Sequence, residues 1–194
     1  MKEHYFNNDT FIGGWYIPKQ VCDDVISFFD KNKTKQTPGY SYNSLQEKDV
    51  IDKNFKDSID LCVNTDMFGS NAIFNYIQQL SNIITAYEIK YPMAKNNSSY
   101  ALIDFFQLQY YPPGAGFKVW HHERFKSSKD RVFVFMTYLN DVPKGGTKFY
   151  HQQITSPAKK GLTLMWPSEW THTHKGQISK EHDKYIATGW FKFT

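Results

Sequence analysis

The sequence predicts a mainly β domain, an antiparallel sandwich or jelly roll, with supporting helices in its N-terminal half. Three observations predict it. Phe106, Leu108 and Tyr110 alternate with Gln107, Gln109 and Tyr111, and Val132, Val134, Met136 and Tyr138 alternate with Phe133, Phe135, Thr137 and Leu139, the period of a strand with two unlike faces. Turn signals separate such runs at Pro112-Pro113-Gly114-Ala115-Gly116, at Gly145-Gly146 and between Pro157 and Gly161. No helical pattern is interleaved among them, which argues against a parallel α/β sheet.

Taken in order, Thr10 to Tyr16 reads as a short strand, and Pro18 suits the first turn of a helix. Val21, Cys22, Val25, Ile26 and Phe29 then recur at helical spacing and form one apolar stripe. From Lys31 to Lys53 the composition turns polar around Pro38 and Gly39, the signature of a long loop, expected to border an active-site mouth as a lid. Lys56 to Val63 alternates as a half-buried strand does. Ser70 or Asn71 can cap a helix running to about Lys90, with Ile73, Phe74, Ile77, Leu80, Ile83, Ile84 and Tyr87 on its apolar face and Pro92 beyond its end. After Asn96-Asn97-Ser98-Ser99 the strands begin.

The chain of 194 residues is expected to form a single domain, with residues 1–100 as helical and strand support and 101–194 as the core that carries the chemistry. Hydrophobic residues at 40% and aromatics at 18% exclude a disordered chain. The net charge of +4 comes from scattered lysines, with no basic strip of the kind that binds nucleic acid or a membrane surface. Cys22 and Cys62 have no metal-knuckle or disulfide spacing and read as reduced thiols. The N-terminal stretch lacks the apolar centre of a signal peptide, and no run approaches the ~18 apolar residues of a membrane span. A cytoplasmic location is expected.

The chemistry concentrates in two stretches. In Trp120-His121-His122-Glu123 the pair His121 and Glu123 shares one face of an extended segment, because strand side chains alternate. Two ligands leave a divalent metal under-coordinated. Trp170-Thr171-His172-Thr173-His174-Lys175-Gly176 offers a third, with His174 as candidate and His172, on the same strand parity, as its competitor. Two histidines and one carboxylate suit non-haem Fe(II) and leave positions open for small molecules. Lys184 opens the strand-like run to Phe191, where it shares a face with Ile186, Thr188 and Trp190. A lysine on an inward face needs an anion, and a dicarboxylate whose other end chelates the metal would provide one, which points to 2-oxoglutarate.

The ordered set Tyr111-Pro112-Pro113-Gly114, His121-x-Glu123, Tyr138-Leu139-Asn140-Asp141, Gly145-Gly146-Thr147-x-Phe149, His174-x-Gly176 and Lys184-Tyr185-Ile186-Ala187-Thr188-Gly189-Trp190 resembles the prolyl 4-hydroxylase-like branch of the Fe(II)/2-oxoglutarate dioxygenases. The resemblance covers roughly residues 101 to 194. It implies a double-stranded β-helix, a cupin-like jelly roll, with His121, Glu123 and His174 holding Fe(II). It also implies that Lys184 pairs with the distal carboxylate of 2-oxoglutarate, that Tyr138 hydrogen-bonds the same carboxylate and that Tyr111 lines the pocket. The implied activity is C–H hydroxylation of peptidyl proline, with ascorbate as reductant. Where the family usually has Asp this chain has Glu123, whose extra methylene moves the carboxylate outward. The alternatives are the same chemistry on a free amino acid or a nucleobase, or a non-catalytic jelly-roll interaction module; nucleic-acid demethylases of the superfamily usually carry arginine where Lys184 stands, so no nucleic-acid partner is expected.

Overall fold

The computed structural model describes residues 1–43, 48–95 and 99–194. The chain begins with β1 (Lys2–Glu3), β2 (Gly13–Tyr16), α1 (Lys19–Lys31), β3 (Thr37–Pro38), β4 (Ser41–Asn43), β5 (Lys48–Val50), β6 (Ile59–Asn64) and α2 (Asn71–Lys90). It continues through β7 (Tyr100–Tyr111), β8 (Arg131–Tyr138), β9 (Thr147–Phe149), β10 (Ile154–Thr155), β11 (Leu162–Pro167), β12 (His174–Gly176) and β13 (Lys184–Phe193). A large antiparallel sheet of eight strands runs in the order β1-β2-β11-β8-β13-β7-β6-β3, and a small sheet runs β10-β9-β12.

The strand alternation read from the sequence sorts the large sheet into two faces. Leu61, Val63, Phe106, Leu108, Phe133 and Phe135 pack with Val25 and Phe29 of α1 and with Ile73, Tyr76, Leu80 and Ile83 of α2. Their neighbours in sequence, Val134, Met136, Tyr138, Leu164, Trp166 and Ile186, turn the other way and meet Phe149 of the small sheet, whose ring sits 5.3 Å from that of Trp166. Burial on both faces is what gives these central strands their almost unbroken apolar runs. The result is a jelly roll with two helices on the outside of its larger sheet.

The long helix starts where its cap was expected: Ser70 is extended and its hydroxyl accepts from the Ile73 amide at 3.4 Å. The buried positions of α2 are Ile73, Tyr76, Leu80, Ile83 and Tyr87. Phe74, expected on that face, is 53% exposed, because it lies about 100° round the helix from Ile73. A polar chain ties α2 to the sheet, from the Tyr76 hydroxyl to Thr137 at 2.8 Å and from Thr137 to Thr163 at 2.8 Å.

The supporting half does more than pack on the core. Its β2 pairs with β11, and its β6 pairs with β7, so strands from the first hundred residues extend the main sheet on both sides. The segment from Lys31 to Lys53, read as loop, contains β3 and the hairpin of β4 and β5. Strands of two or three residues are too short to show periodicity. β7 begins at Tyr100, earlier than the alternation suggests, and β6 begins at Ile59.

Candidate active site

The site begins where β7 ends. Pro112 to Ala115 form a tight turn, with the Ala115 amide donating to the Pro112 carbonyl at 3.0 Å and Gly114 at φ +81°, a conformation that favours glycine. The returning chain is pinned first to the segment before β6, as the Lys118 amide donates to the Phe55 carbonyl at 2.8 Å. It is then pinned to β12. His121 and His174 exchange both backbone hydrogen bonds, at 3.0 and 2.8 Å, so they stand directly opposite each other with side chains on one face. Glu123, two residues on, returns to that face, and its amide donates to the Ser168 carbonyl at 3.1 Å. Local alternation and one antiparallel pairing thus bring three residues together.

Nε2 of His121 lies 3.4 Å from Glu123 Oε1, and Nε2 of His174 lies 3.7 Å from the same oxygen; one ligand atom from each residue falls within 4.8 Å of the others. The tautomers are set from behind. His121 Nδ1 bonds the Val119 carbonyl at 3.1 Å and His174 Nδ1 bonds the His172 carbonyl at 2.9 Å. A carbonyl accepts only from a protonated nitrogen, so each Nε2 lone pair is left for a metal. Phe117 stacks on the His121 ring at 3.7 Å. Burial pushes the Glu123 carboxyl upward, but the close approach of His121, then His174 and the charge of Arg131, outweigh it and hold it at about 2. Burial, with the nearby His121, lowers His174 to about 3. At neutral pH the pair is carboxylate and neutral imidazole, the forms that ligate metal. Glu123 Oε2 is held separately, accepting from Trp190 Nε1 at 3.1 Å and Arg131 Nη1 at 3.2 Å.

The three residues line a cavity of about 350 Å³ between the two sheets, a size suited to a small-molecule ligand. Lys184 lines the same cavity and is 5% exposed. Its Nζ donates to the carbonyls of Gln177 at 3.1 Å and Gly145 at 3.5 Å and lies 5.0 Å from the centre of the Tyr111 ring. Among the described residues no carboxylate pairs with it, and burial lowers its pKa to about 8. Gly176 lies beside it, and a Cβ there would sit 3.4 Å from Lys184 Nζ. The donor set therefore fits a non-haem metal, and the buried ammonium in the same cavity, bonded to carbonyls, fits a dicarboxylate chelated at its far end.

Tyr111 and Tyr138 also line this cavity. The Tyr138 hydroxyl is bonded to Thr147 and to Ser156, each at 2.7 Å, and Thr147 lines the cavity beside it. Burial raises Tyr138 to about 12 and outweighs those two hydroxyls. The Tyr111 hydroxyl donates to Gln109 Oε1 at 2.7 Å. His172 turns its ring away: Nε2 bonds the Thr10 carbonyl at 3.0 Å and Nδ1 meets the Thr171 hydroxyl at 3.0 Å. His122, which strand parity would turn to the face opposite His121 and Glu123, lines the cavity as well, because the chain around it is a bent loop and not a regular strand.

Two contributors escaped the sequence reading. Arg131, at the start of β8, reaches the Glu123 carboxylate, and Trp190, known only to share a face with Lys184, donates to it. The buried pair of Lys56 Nζ and Asp60 Oδ2, 2.5 Å apart, forms another wall of the cavity. Lys56 opens the segment whose alternation marked a strand, but alternation alone does not single out a lysine as buried and paired.

Residues 106–192 match the sequence profile of the 2OG-Fe(II) oxygenase superfamily. Among curated protein sequences the chain has no significant match. Its fold is shared with prolyl hydroxylases of known structure. A Trichoplax adhaerens prolyl hydroxylase in complex with a hypoxia inducible factor oxygen degradation domain peptide superposes with a TM-score of 0.73 at 14% identity, over 95% of this chain and 84% of that one. For a Pseudomonas putida prolyl-4-hydroxylase the TM-score is 0.68 at 14% identity, over 93% and 91% of the two chains. For the viral collagen prolyl hydroxylase of Paramecium Bursaria Chlorella virus-1, in its 2OG complex, it is 0.64 at 16% identity, over 95% and 97%.

Proposed function

Because residues 106–192 belong to the 2OG-Fe(II) oxygenase superfamily, we propose that this 2-oxoglutarate-dependent dioxygenase hydroxylates peptidyl proline from a single domain, with His121, Glu123 and His174 as its iron ligands. The observation that carries the residue assignment is Lys184, a buried ammonium that bonds two carbonyls and, among the described residues, no carboxylate, in the cavity that holds the three ligand side chains. Fe(II) and 2-oxoglutarate, when bound, supply oxidative decarboxylation of the 2-oxo acid to succinate and carbon dioxide, coupled to insertion of one oxygen atom into a C–H bond.

The chain's own groups do the rest. Lys184 anchors the distal carboxylate, with Tyr111 and Thr147 forming the walls beside it and Tyr138 holding Thr147 in place. Carbonyls 119 and 172 fix the imidazoles, so the ligand face is preorganised before anything binds. Phe105, Phe117, Phe125 and Trp190 line the cavity with aromatic surface, continued outward by Tyr40 and Phe55. Such surface excludes water and receives a pyrrolidine ring well. The peptide bound to the Trichoplax neighbour supports a peptide as substrate.

The test is turnover of 2-oxoglutarate to succinate by purified protein with Fe(II), ascorbate and oxygen, alone and with proline-containing peptides. His174→Ala and Glu123→Ala serve as comparators. Turnover above both variants, with one oxygen atom gained by a proline peptide and none by its alanine counterpart, is the expected result. Failure of the wild type to bind either Fe(II) or 2-oxoglutarate would overturn it.

A further inference from the structure

Glutamate is a poor choice for a ligand that must offer one oxygen and keep the other away. Its side chain has one more rotatable bond than aspartate, and a free carboxylate can turn to present both oxygens to an ion, closing a position that a cosubstrate needs. In this fold the second oxygen is restrained. Oε2 accepts from Trp190 Nε1 at 3.1 Å and from Arg131 Nη1 at 3.2 Å, while Oε1 faces the two Nε2 atoms.

The restraint has a length built into it. The same Arg131 Nη1 that meets Oε2 also donates to the backbone carbonyl of Glu123 at 3.0 Å, and the Ser128 hydroxyl donates to that carbonyl at 2.9 Å. One nitrogen therefore touches residue 123 at both its backbone and its carboxylate tip. The guanidinium is fixed in turn by stacking 3.5 Å above the Trp190 ring, and Trp190 stands on β13 with Lys184. A side chain one methylene shorter cannot keep Oε1 at the histidines and Oε2 at both donors.

We infer that Arg131 and Trp190 form a clamp matched to glutamate, positioning residues that keep Glu123 one-armed toward the metal. The inference rests on the assignment of His121, Glu123 and His174 as metal ligands. It predicts that the clamp and the carboxylate length are coupled: substitution of the clamp matters in the glutamate protein and much less in Glu123→Asp.

The experiment is Co(II) titration of the full chain without cosubstrate, read as affinity and as the visible absorption spectrum, which reports coordination number. Trp190→Phe keeps the ring and removes the N–H; Arg131→Met removes the second donor; each is also made in Glu123→Asp, and circular dichroism confirms folding. Each clamp substitution is expected to weaken Co(II) by roughly 10- to 100-fold and to change the spectrum, and to have little effect in the Glu123→Asp background. If Trp190→Phe binds Co(II) with wild-type affinity and spectrum, or the loss is equal in both backgrounds, the clamp is overturned. If Arg131→Met does not fold, Trp190→Phe decides alone. Co(II) binding that His174→Ala leaves intact would overturn the ligand assignment itself, and the clamp with it.

Discussion

His172 and His174 lie two residues apart, yet only His174 turns Nε2 toward Glu123, because a turn of 3-10 helix over Trp170–His172 ends before β12 begins and breaks the strand parity that made them competitors. What the site takes from residue 172 is its carbonyl, which any amino acid supplies. His172→Ala should therefore leave metal binding intact while lowering stability by about 1 kcal/mol, as the half-buried Thr10 carbonyl loses its partner; His174→Ala should lose the metal. Metal titration beside urea unfolding separates the two. Lys184 carries a pH signature. Its pKa falls from 10.5 in the open chain to about 8 in the fold, so between those values the unfolded chain binds more protons and stability rises with pH. A carboxylate over the ammonium favours the proton instead. The affinity for 2-oxoglutarate should be level below about pH 8 and fall above it, and Lys184→Ala should weaken binding by about 2–5 kcal/mol, both read by calorimetry. Lys184 was legible in the sequence because alternation along β13 decides its facing, and His121 and Glu123 were because their two-residue spacing keeps them on one side even where the chain bends. Arg131 and Trp190 were not, since their meeting with Glu123 depends on the turn after Phe125 and on sheet order. The Tyr138 hydroxyl was legible as a lining group but not as one already bonded to Thr147 and Ser156.

At the scale of elements, α2 announced itself through its length, its stripe and Ser70, whereas the hairpin of β4 and β5 gave no periodic signal within a polar stretch. What holds that hairpin near the cavity is polar and buried. Lys56 Nζ pairs with Asp60 Oδ2 and donates to the Tyr40 carbonyl at 3.4 Å, and the Ser58 hydroxyl donates to Asp60 Oδ1 at 2.7 Å. Both ionic partners are almost fully buried, at 5% and 2% exposure. Removing one leaves the other without compensation: Lys56→Met should cost about 3–5 kcal/mol in denaturant unfolding, and Lys56→Met with Asp60→Leu should recover much of that. Hydrogen exchange should show the loosening in Tyr40, Ser41 and the backbone of β4 first.

At the scale of the molecule, one sheet serves two purposes because its faces are independent. The helix-facing side chains make the core, and the opposite set opens into the cavity, so a residue's parity on β7, β8 or β13 decides whether it supports or acts. The fold class was legible for this reason, and so were the strands of the supporting half; what sequence order could not give is where they dock, β2 on β11 and β6 on β7, at opposite sides of the main sheet. The pairing of His121 with His174 has a kinetic consequence. The ligand set comes into being only when the returning segment after β7 meets β12, a pairing between distant stretches of chain, the kind that makes folding slow. An ion that needs the closed set has no matching site in the open chain. It would instead lock the closed sheets, slowing escape from the native state far more than it hastens arrival.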